Sequence, residues 1–393
     1  MVSNGDVSNR VASTPATRWR VAALVVVLGC LFLAPVAGPV GARPAAPPKA
    51  NDPAFVQGLQ WNLSMIGAPE AWSVGEGRGV IIGIIDSGID TTHHDLAPNV
   101  LGTISCIGTR GDASLCAGPG YDDNGHGTHV AGIAAAVTNN GIGVASVAPE
   151  AKLLGVRVLT DRCEGTDCTA RGDSTDVVAG IHWAVANGAR VLNLSLGSDG
   201  ATLDQTALGA ALRWAWAHGA IAVIASGNSG DQVLDLGDLP AVVVTAVNRE
   251  GNVASYANGV GSSRWALAAP GGEPGDDANT CRTGGQPMGV LSTYWNPTLG
   301  PDQYACQAGT SFAAPHVSGA LAILLGLGFT PQDAVNRLLQ SADPVVGATP
   351  AMVGAGRLDI ARAVAMGPAP AHPTTTTTAP AAAAAAANQP PTP

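Results

Sequence analysis

A serine in a glycine-rich segment is the first residue that could carry out chemistry in this chain. The segment from Gly309 to Gly319 places Ser311 before an apolar, helix-compatible run that extends to Leu327. At the start of a helix, unpaired backbone N–H groups point outward and the helix dipole favours negative charge. Such a serine could attack a carbonyl carbon, or it could simply cap the helix. A nucleophilic role therefore requires a base, an acid to orient that base, and an oxyanion donor.

The chain has a candidate for each of these three functions. Asp86 directly follows an apolar run, Asn228 follows a second apolar run, and His126 precedes a segment of small, helix-compatible residues. Taken singly, Asp86 and Asn228 could be turn residues, and His126 could be a structural histidine. Together they would require a coincidence at each motif, because every one of them stands in its own glycine-marked setting.

A parallel sheet would position these side chains. Val80–Ile85 and Ala220–Ala225 are continuous apolar runs rich in β-branched residues, which is typical of buried parallel strands. Strand and helix patterns alternate between and after them: Lys152–Leu159, Thr175–Asn187, Ala189–Leu194, Thr206–His218 and Ala241–Val247. The alternation predicts an α/β fold, a mostly parallel central sheet with helices on both faces. Such folds bind ligands at the C-terminal edge of the sheet.

The four motifs, in the order Asp86, His126, Asn228 and Ser311, resemble those of the subtilisin-like (subtilase) serine endopeptidases of secreted bacterial type. The resemblance extends from about residue 60 to about residue 364. It implies a three-layer α/β fold and peptide hydrolysis through an acyl-enzyme. Ser311 would be the nucleophile, His126 the general base and Asp86 the group that orients the imidazole. Asn228 would donate to the oxyanion.

The resemblance also assigns substrate binding to two strand ends. One would pair with the substrate backbone, although a glycine-ended core strand is the simpler alternative. The residues assigned to substrate binding are Ser195, Leu196, Gly197, Ala225, Ser226 and Gly227. Leu196 and Ala225 would form an apolar wall, which favours an apolar substrate side chain.

A structural calcium ion is implied by the same resemblance, whereas the chemistry itself needs no cofactor. Asp95 occupies the position of a calcium ligand, and Val137–Val144 resembles the loop that supplies further oxygen ligands. This loop is one residue longer than a common family version, so either Asn139 or Asn140 could bind the ion. Asn139 is our assignment, with a plain hydrogen-bonded turn as the alternative.

Six cysteines besides Cys30 indicate disulfides in an exported protein. They allow 15 connectivities. Pairing each with its neighbour in sequence predicts the bonds Cys106–Cys116, Cys163–Cys168 and Cys281–Cys306.

The ends of the chain differ in composition from its middle. Arginines and then an apolar run, Val21–Ala34, predict a signal peptide over residues 1–42, or else an uncleaved anchor. Residues 43–55 form a Pro/Ala-rich linker, 56–366 the peptidase domain and 367–393 a low-complexity tail of Ala, Pro and Thr.

A net charge of −10 disfavours partners such as nucleic acid or anionic lipid. From the resemblance we expect a monomer, secreted or associated with the cell envelope, that acts on peptides or proteins. It would contact a membrane only if the signal segment stays uncleaved. Two alternatives remain: a membrane-tethered processing protease with few substrates, and a non-catalytic envelope protein that binds peptides.

Overall fold

The computed structural model describes residues 50–369 apart from 165–166, 197–204, 277–285 and 297. Within this part the strands are β1 (Ile81–Asp86), β2 (Val100–Ser105), β3 (Lys152–Arg157), β4 (Thr160–Glu164), β5 (Asp167–Arg171), β6 (Val191–Leu194), β7 (Ile221–Ala225), β8 (Ala241–Val247), β9 (Trp265–Pro270), β10 (Val290–Asn296) and β11 (Gly300–Gln307). The helices are α1 (Pro53–Val56), α2 (Trp61–Met65), α3 (Ala68–Trp72), α4 (His126–Ala135), α5 (Ser174–Ala186), α6 (Gln205–Ala217), α7 (Thr310–Gly326), α8 (Pro331–Ser341), α9 (Pro350–Val353) and α10 (Ile360–Ala365).

A parallel sheet in the order β2-β3-β1-β6-β7-β8-β9 forms the centre of the described chain. Successive strand residues point to opposite faces, so Ile84 joins the core on one side of the sheet and Ile85 the core on the other. Helices α4 and α7 pack on the first side, and α5 and α6 on the second. The predicted three-layer α/β fold is confirmed.

Helix α7 is the most deeply buried helix of the first layer. Its residues from Thr310 to Leu325 are all buried, and it contacts α4 and four neighbouring strands, β6 to β9. A helix that is apolar around its whole circumference is expected in such an interior position. Pro315 lies inside this helix. Because proline has no N–H, the carbonyl of Ser311, four residues earlier, has no helical hydrogen-bond partner.

The antiparallel hairpin β10–β11 was not predicted from the sequence. It packs on α4, the helix that begins at His126. Ser292 Oγ donates to the carbonyl of His129 at 2.8 Å, and Thr293 Oγ1 donates to the carbonyl of Thr128 at 2.7 Å. The hairpin therefore holds the first turn of α4 in place.

The cysteine predictions have three different outcomes. Cys106 and Cys116 form the predicted disulfide. Cys163 and Cys168 occupy opposite backbone positions in the β4–β5 hairpin, but their side chains lie outside the description. Cys306 is disulfide-bonded, and its predicted partner, Cys281, lies outside the described residues.

The predicted signal peptide and almost all of the tail also lie outside the described residues. Within the part that is described, we find no helix long and apolar enough to cross a membrane.

Candidate active site

Asp86 and His126 form a buried pair at the C-terminal edge of the sheet. Asp86 is the last residue of β1 and is fully buried, whereas the His126 side chain is 21% exposed. His126 Nδ1 lies 2.7 Å from Asp86 Oδ1, which also accepts a hydrogen bond from the Ser87 amide at 2.7 Å. Burial lowers the pKa of His126, but the Asp86 carboxylate more than offsets this effect, so the net shift is upward. Asp86 therefore offsets the cost that burial would impose on a protonated His126.

The turn before His126 is fixed by Asp122, which sequence reasoning did not single out. This buried carboxylate accepts five hydrogen bonds, from Ser87 Oγ, Asn124 N, Gly125 N, Thr128 N and Thr128 Oγ1. Gly125 caps α4 with a φ of 99°, and a Cβ there would stand 2.5 Å from the Trp295 carbonyl oxygen. Only glycine suits this position. The sequence signal that could have pointed to Asp122 is the pair of acidic residues, Asp122 and Asp123, shortly before His126.

Ser311 lies in the first turn of α7 and is 9% exposed. Within the described part of the chain its hydroxyl donates to the Ser195 carbonyl at 3.2 Å, rather than to His126. The ring of the next residue, Phe312, lies 5.3 Å from the His126 ring between centroids. The residue after Ser311 therefore packs close to His126, and a hydrogen bond between a catalytic serine and histidine often tightens only when substrate is bound.

Asn228 lies beside Ser311 because Thr310 binds it. The Asn228 Oδ1 atom accepts from the Thr310 amide at 2.9 Å and from Thr310 Oγ1 at 2.8 Å. A backbone N–H needs an acceptor, so these contacts also decide which end of the Asn228 amide is oxygen. The Nδ2 group remains as the donor end of an exposed side chain. Thr310 lies within the segment from Gly309 to Gly319, but the sequence predicted no role for it.

Asn258 holds the turn that carries Asn228, and no motif in the sequence pointed to it. Its Oδ1 accepts from the amides of Ser229 and Gly230 at 2.8 and 3.0 Å, and its Nδ2 donates to the Ser226 carbonyl at 3.1 Å. A Cβ on Gly227, whose φ is 104°, would stand 2.5 Å from Asn258 Nδ2. The close approach of the two segments therefore depends on this glycine.

The described residues among those predicted to bind substrate lie at or just after the ends of β6 and β7, and Ser195 and Gly227 contact the first turn of α7. Leu196 and Ala225 are 8% and 1% exposed and belong to the two apolar cores. Ser226 Oγ donates to the Asn258 carbonyl at 2.9 Å. Ser195 is buried with its hydroxyl on the Ser311 carbonyl at 2.5 Å. Gly197 lies outside the described residues.

Two further histidines close to the site, His129 and His316, are structural. Burial lowers the pKa of His129 to about 3, and its Nε2 bonds the Ala305 carbonyl at 3.0 Å. Burial also lowers the pKa of His316 to about 4, and this residue bonds Asn62 and the Phe312 carbonyl, each at 2.8 Å. Both rings are therefore neutral near pH 7.

The loop predicted to bind calcium encloses Asp95. Asp95 Oδ1 accepts from Asn140 Nδ2 at 2.7 Å, and Oδ2 accepts from the Val144 amide at 2.8 Å and from Tyr304 at 3.2 Å. Asn139, by contrast, is exposed and gives its backbone N–H to Asp52 Oδ2 at 2.8 Å. The structure thus brings Asn140, rather than Asn139, to Asp95.

Asp52 is a second buried carboxylate in this region and was missed because it falls in the predicted linker. Both Asp52 and Asp95 are fully buried, and among the described residues neither forms an ion pair. Burial raises the pKa of Asp52, and it raises the pKa of Asp95 to about 6, with the neighbouring Asp52 adding to the latter shift. The two uncompensated carboxylates offer the hard, anionic oxygen ligands that calcium prefers, whereas the amide groups that face Asp95 are N–H donors.

Comparisons with known proteins agree with the geometry. The model of the subtilase family matches residues 77–356. Thermitase from Thermoactinomyces vulgaris is 34% identical over 316 residues, which cover 80% of this chain and 98% of thermitase. Subtilisin BL from Lederbergia lenta is 38% identical over 274 residues, which cover 68% of this chain and 84% of that protein.

The same similarity holds for a solved structure. A protease from Pseudoalteromonas arctica matches with a TM-score of 0.66 at 31% identity, and the match covers 81% of this chain and 99% of that one.

Proposed function

The chain belongs to the subtilase family of serine endopeptidases, and we propose that Ser311, His126 and Asp86 form its catalytic triad. The observation that carries the proposal is the 2.7 Å contact between His126 Nδ1 and buried Asp86 Oδ1. An ionised carboxylate can only accept, so Nδ1 carries the proton and Nε2 presents its lone pair. His126 can then take a proton from Ser311 as the serine attacks a peptide carbonyl.

Asn228 would stabilise the oxyanion that forms in this attack. Its Oδ1 is bound to Thr310, so the donor end, Nδ2, points away from that contact and can donate. The first N–H groups of α7 have no helical partner, which makes the Ser311 amide the natural second donor. Donors fixed before the reaction contribute most, since they need not reorganise as charge develops.

The acyl-enzyme would form when His126 passes its proton to the leaving amine. Water, activated by the same Nε2, then attacks the ester and frees Ser311. The apolar side chains of Leu196 and Ala225, near the ends of β6 and β7, support the expectation of an apolar substrate side chain. We propose that the peptidase domain spans residues 56–366, between an export signal (1–42) with its linker (43–55) and a tail (367–393).

We further propose that a calcium ion stabilises the fold. Asp95, Asp52 and the side-chain amide of Asn140 would hold it, because Asn140 rather than Asn139 reaches Asp95. The uncompensated charge of the two buried carboxylates supports this set. The ion would supply positive charge to the structure and has no step in the hydrolysis.

A fluorophosphonate probe tests the proposed triad, because it reacts covalently only with an activated serine. We expect stoichiometric labelling of the purified protein at Ser311, mapped by mass spectrometry. Ser311→Ala and His126→Ala should each abolish both labelling and casein hydrolysis, since the groups act as one unit. Unlabelled wild-type protein that still binds peptides would instead support the non-catalytic alternative.

A further inference from the structure

A buried polar cluster lies behind Ser311 and takes no part in the proton transfers described above. It consists of Asn193, Ser195 and Ser318, which are 0, 3 and 0% exposed. Ser318 Oγ donates to Asn193 Oδ1 at 2.8 Å, and Asn193 Nδ2 donates to Ser195 Oγ at 2.8 Å. Ser195 Oγ then donates to the backbone carbonyl of Ser311 at 2.5 Å. The cluster connects the end of β6 to the first turn of α7.

The Ser311 carbonyl needs this donor because of a proline. In a regular helix the amide of residue 315 would donate to the carbonyl of residue 311. Pro315 has no N–H, and its ring crowds that carbonyl. A buried carbonyl without a partner is costly, so a donor from outside the helix is required. Ser195 supplies this donor. Asn193 Nδ2 donates to Ser195 Oγ and so occupies one lone pair of that hydroxyl, which orients its O–H toward the Ser311 carbonyl.

We propose that Ser195 is a positioning residue, whose side chain fixes the backbone of Ser311 and thereby aims the nucleophile. The proposal rests on the proposed role of Ser311. It also gives a different role to the side chain of Ser195, which the sequence resemblance assigned to substrate binding. With its side chain buried and its hydroxyl committed to Ser311, the effect of Ser195 on turnover is through the nucleophile.

A double-mutant cycle between Ser195→Ala and Pro315→Ala tests this role. In the wild-type background, Ser195→Ala should lower kcat by about 10- to 100-fold, because small displacements of a reacting group have effects of that size. KM should stay within about two-fold, since ground-state binding is not altered. With alanine at position 315, the helix supplies its own N–H to the Ser311 carbonyl. Ser195→Ala should then cost less than about three-fold, and this coupling is the signature of the shared carbonyl.

Ser341→Ala is the matched control. Ser341 is also a fully buried serine, but its hydroxyl donates to the Leu338 carbonyl at 3.1 Å within α8. Its loss reports the general effect of removing a buried hydroxyl, and kcat should remain unchanged. Should Ser195→Ala fail to fold, Ser195→Cys keeps a side chain of similar size with only a weak donor, and the same coupling with Pro315→Ala is expected.

Three outcomes would overturn the positioning role: an unchanged kcat in Ser195→Ala, an equal loss in both backgrounds, or a raised KM with kcat unaffected. The last result would return Ser195 to substrate binding. Fluorophosphonate titration of the wild-type protein separates these outcomes from failure of the proposed triad. Labelled Ser311 without coupling refutes the role of Ser195, whereas unlabelled Ser311 refutes the triad itself.

Discussion

Asp86 and Asp95 are both fully buried carboxylates, yet their surroundings differ in one respect. Asp86 faces His126, a group that can become positively charged, at 2.7 Å. Asp95 faces neutral donors, namely the amides of Asn140 and Val144 and the hydroxyl of Tyr304, with the carboxylate of Asp52 nearby. Neutral donors reduce the cost of a buried charge but do not cancel it.

The difference indicates what each region lacks. The Asp86 region contains its own counter-charge, which appears when the imidazole takes up a proton during turnover. The Asp95 region has carboxylates whose pKa is raised by burial, and it would gain most from a cation from solution. The first region is therefore suited to proton transfer and the second to metal binding.

The largest effect is expected from removing the charge of the first region. Asp86→Asn should lower kcat by about 10⁴-fold, because an amide cannot hold the imidazole in the reactive tautomer. The fold should persist, since the replacement keeps the size of the side chain. Steady-state hydrolysis of a peptide substrate measures the loss. Asp112→Asn, at an exposed residue that caps a single 3₁₀ turn, is the control and should leave kcat unchanged. Near-wild-type turnover in Asp86→Asn would show that catalysis does not depend on the negative charge of Asp86.

The matching change in the second region should affect stability instead. Adding Ca²⁺ to chelator-treated protein should raise Tm, and at 100 times Kd the gain is about 2.7 kcal/mol for a ligand that binds only the native state. Asp95→Asn should remove most of this response. The variant itself should still fold without the metal. Thermal melts with and without Ca²⁺ measure both quantities. A wild-type Tm that does not change when Ca²⁺ is added would contradict the metal assignment.

A pH titration of the metal-free protein sharpens the same comparison. The pKa of Asp95 is about 6 in the folded protein and near 4 in the unfolded chain, so the folded state binds more protons between these values. Stability should therefore fall as pH rises from about 4 to about 6, by roughly 3 kcal/mol for a shift of this size. Asp52, whose pKa is also raised, acts in the same direction.

Denaturant unfolding at several pH values measures this slope. Asp95→Asn should flatten it, and saturating Ca²⁺ should remove it by stabilising the ionised carboxylate. A stability that rises steadily across this range, in the metal-free wild type, would mean that Asp95 does not carry the uncompensated charge.

Much of the first region could be predicted from sequence, because each motif is local. Asp86 ends a strand whose apolar run is visible, and Ser311 begins a helix that is apolar around its whole circumference. The residues that hold these motifs together could not be predicted. Thr310 and Asn228 are 82 residues apart, and Asn258 reaches back across the turn after β7. Such contacts depend on how distant segments meet.

The second region was predicted less well for a local reason as well. Asn139 adopts a left-handed backbone with a φ of 65°, which leaves its side chain exposed and makes Asn140 the residue that reaches Asp95. A pair of adjacent asparagines does not show from sequence which one adopts the left-handed backbone.

Hairpin β10–β11 was overlooked because its strands lack the continuous apolar runs that marked the parallel sheet. The domain boundaries remain predictions.

The smallest effect is expected from oxidation, and it concerns the neighbours of His126. Many subtilases carry methionine after the nucleophilic serine, where a sulfoxide would place a polar oxygen beside the oxyanion hole. Here the residue is Phe312, 4% exposed, whose ring lies 5.3 Å from that of His126 and 4.5 Å from that of His129. A phenyl ring has no sulfur to oxidise.

Dilute peroxide should therefore leave peptidase activity unchanged while it oxidises methionines elsewhere. Met288, Met352 and Met366 are 45, 40 and 45% exposed and should react first. Activity and mass spectrometry on the same treated sample give the two readouts, and Phe312→Met is the matched variant that should become peroxide-sensitive. If wild-type turnover fell in step with sulfoxide at Met288, that exposed side chain would have to lie close enough to the site to disturb it. The sensitivity of Phe312→Met would then no longer identify the position after Ser311 as the one that decides resistance.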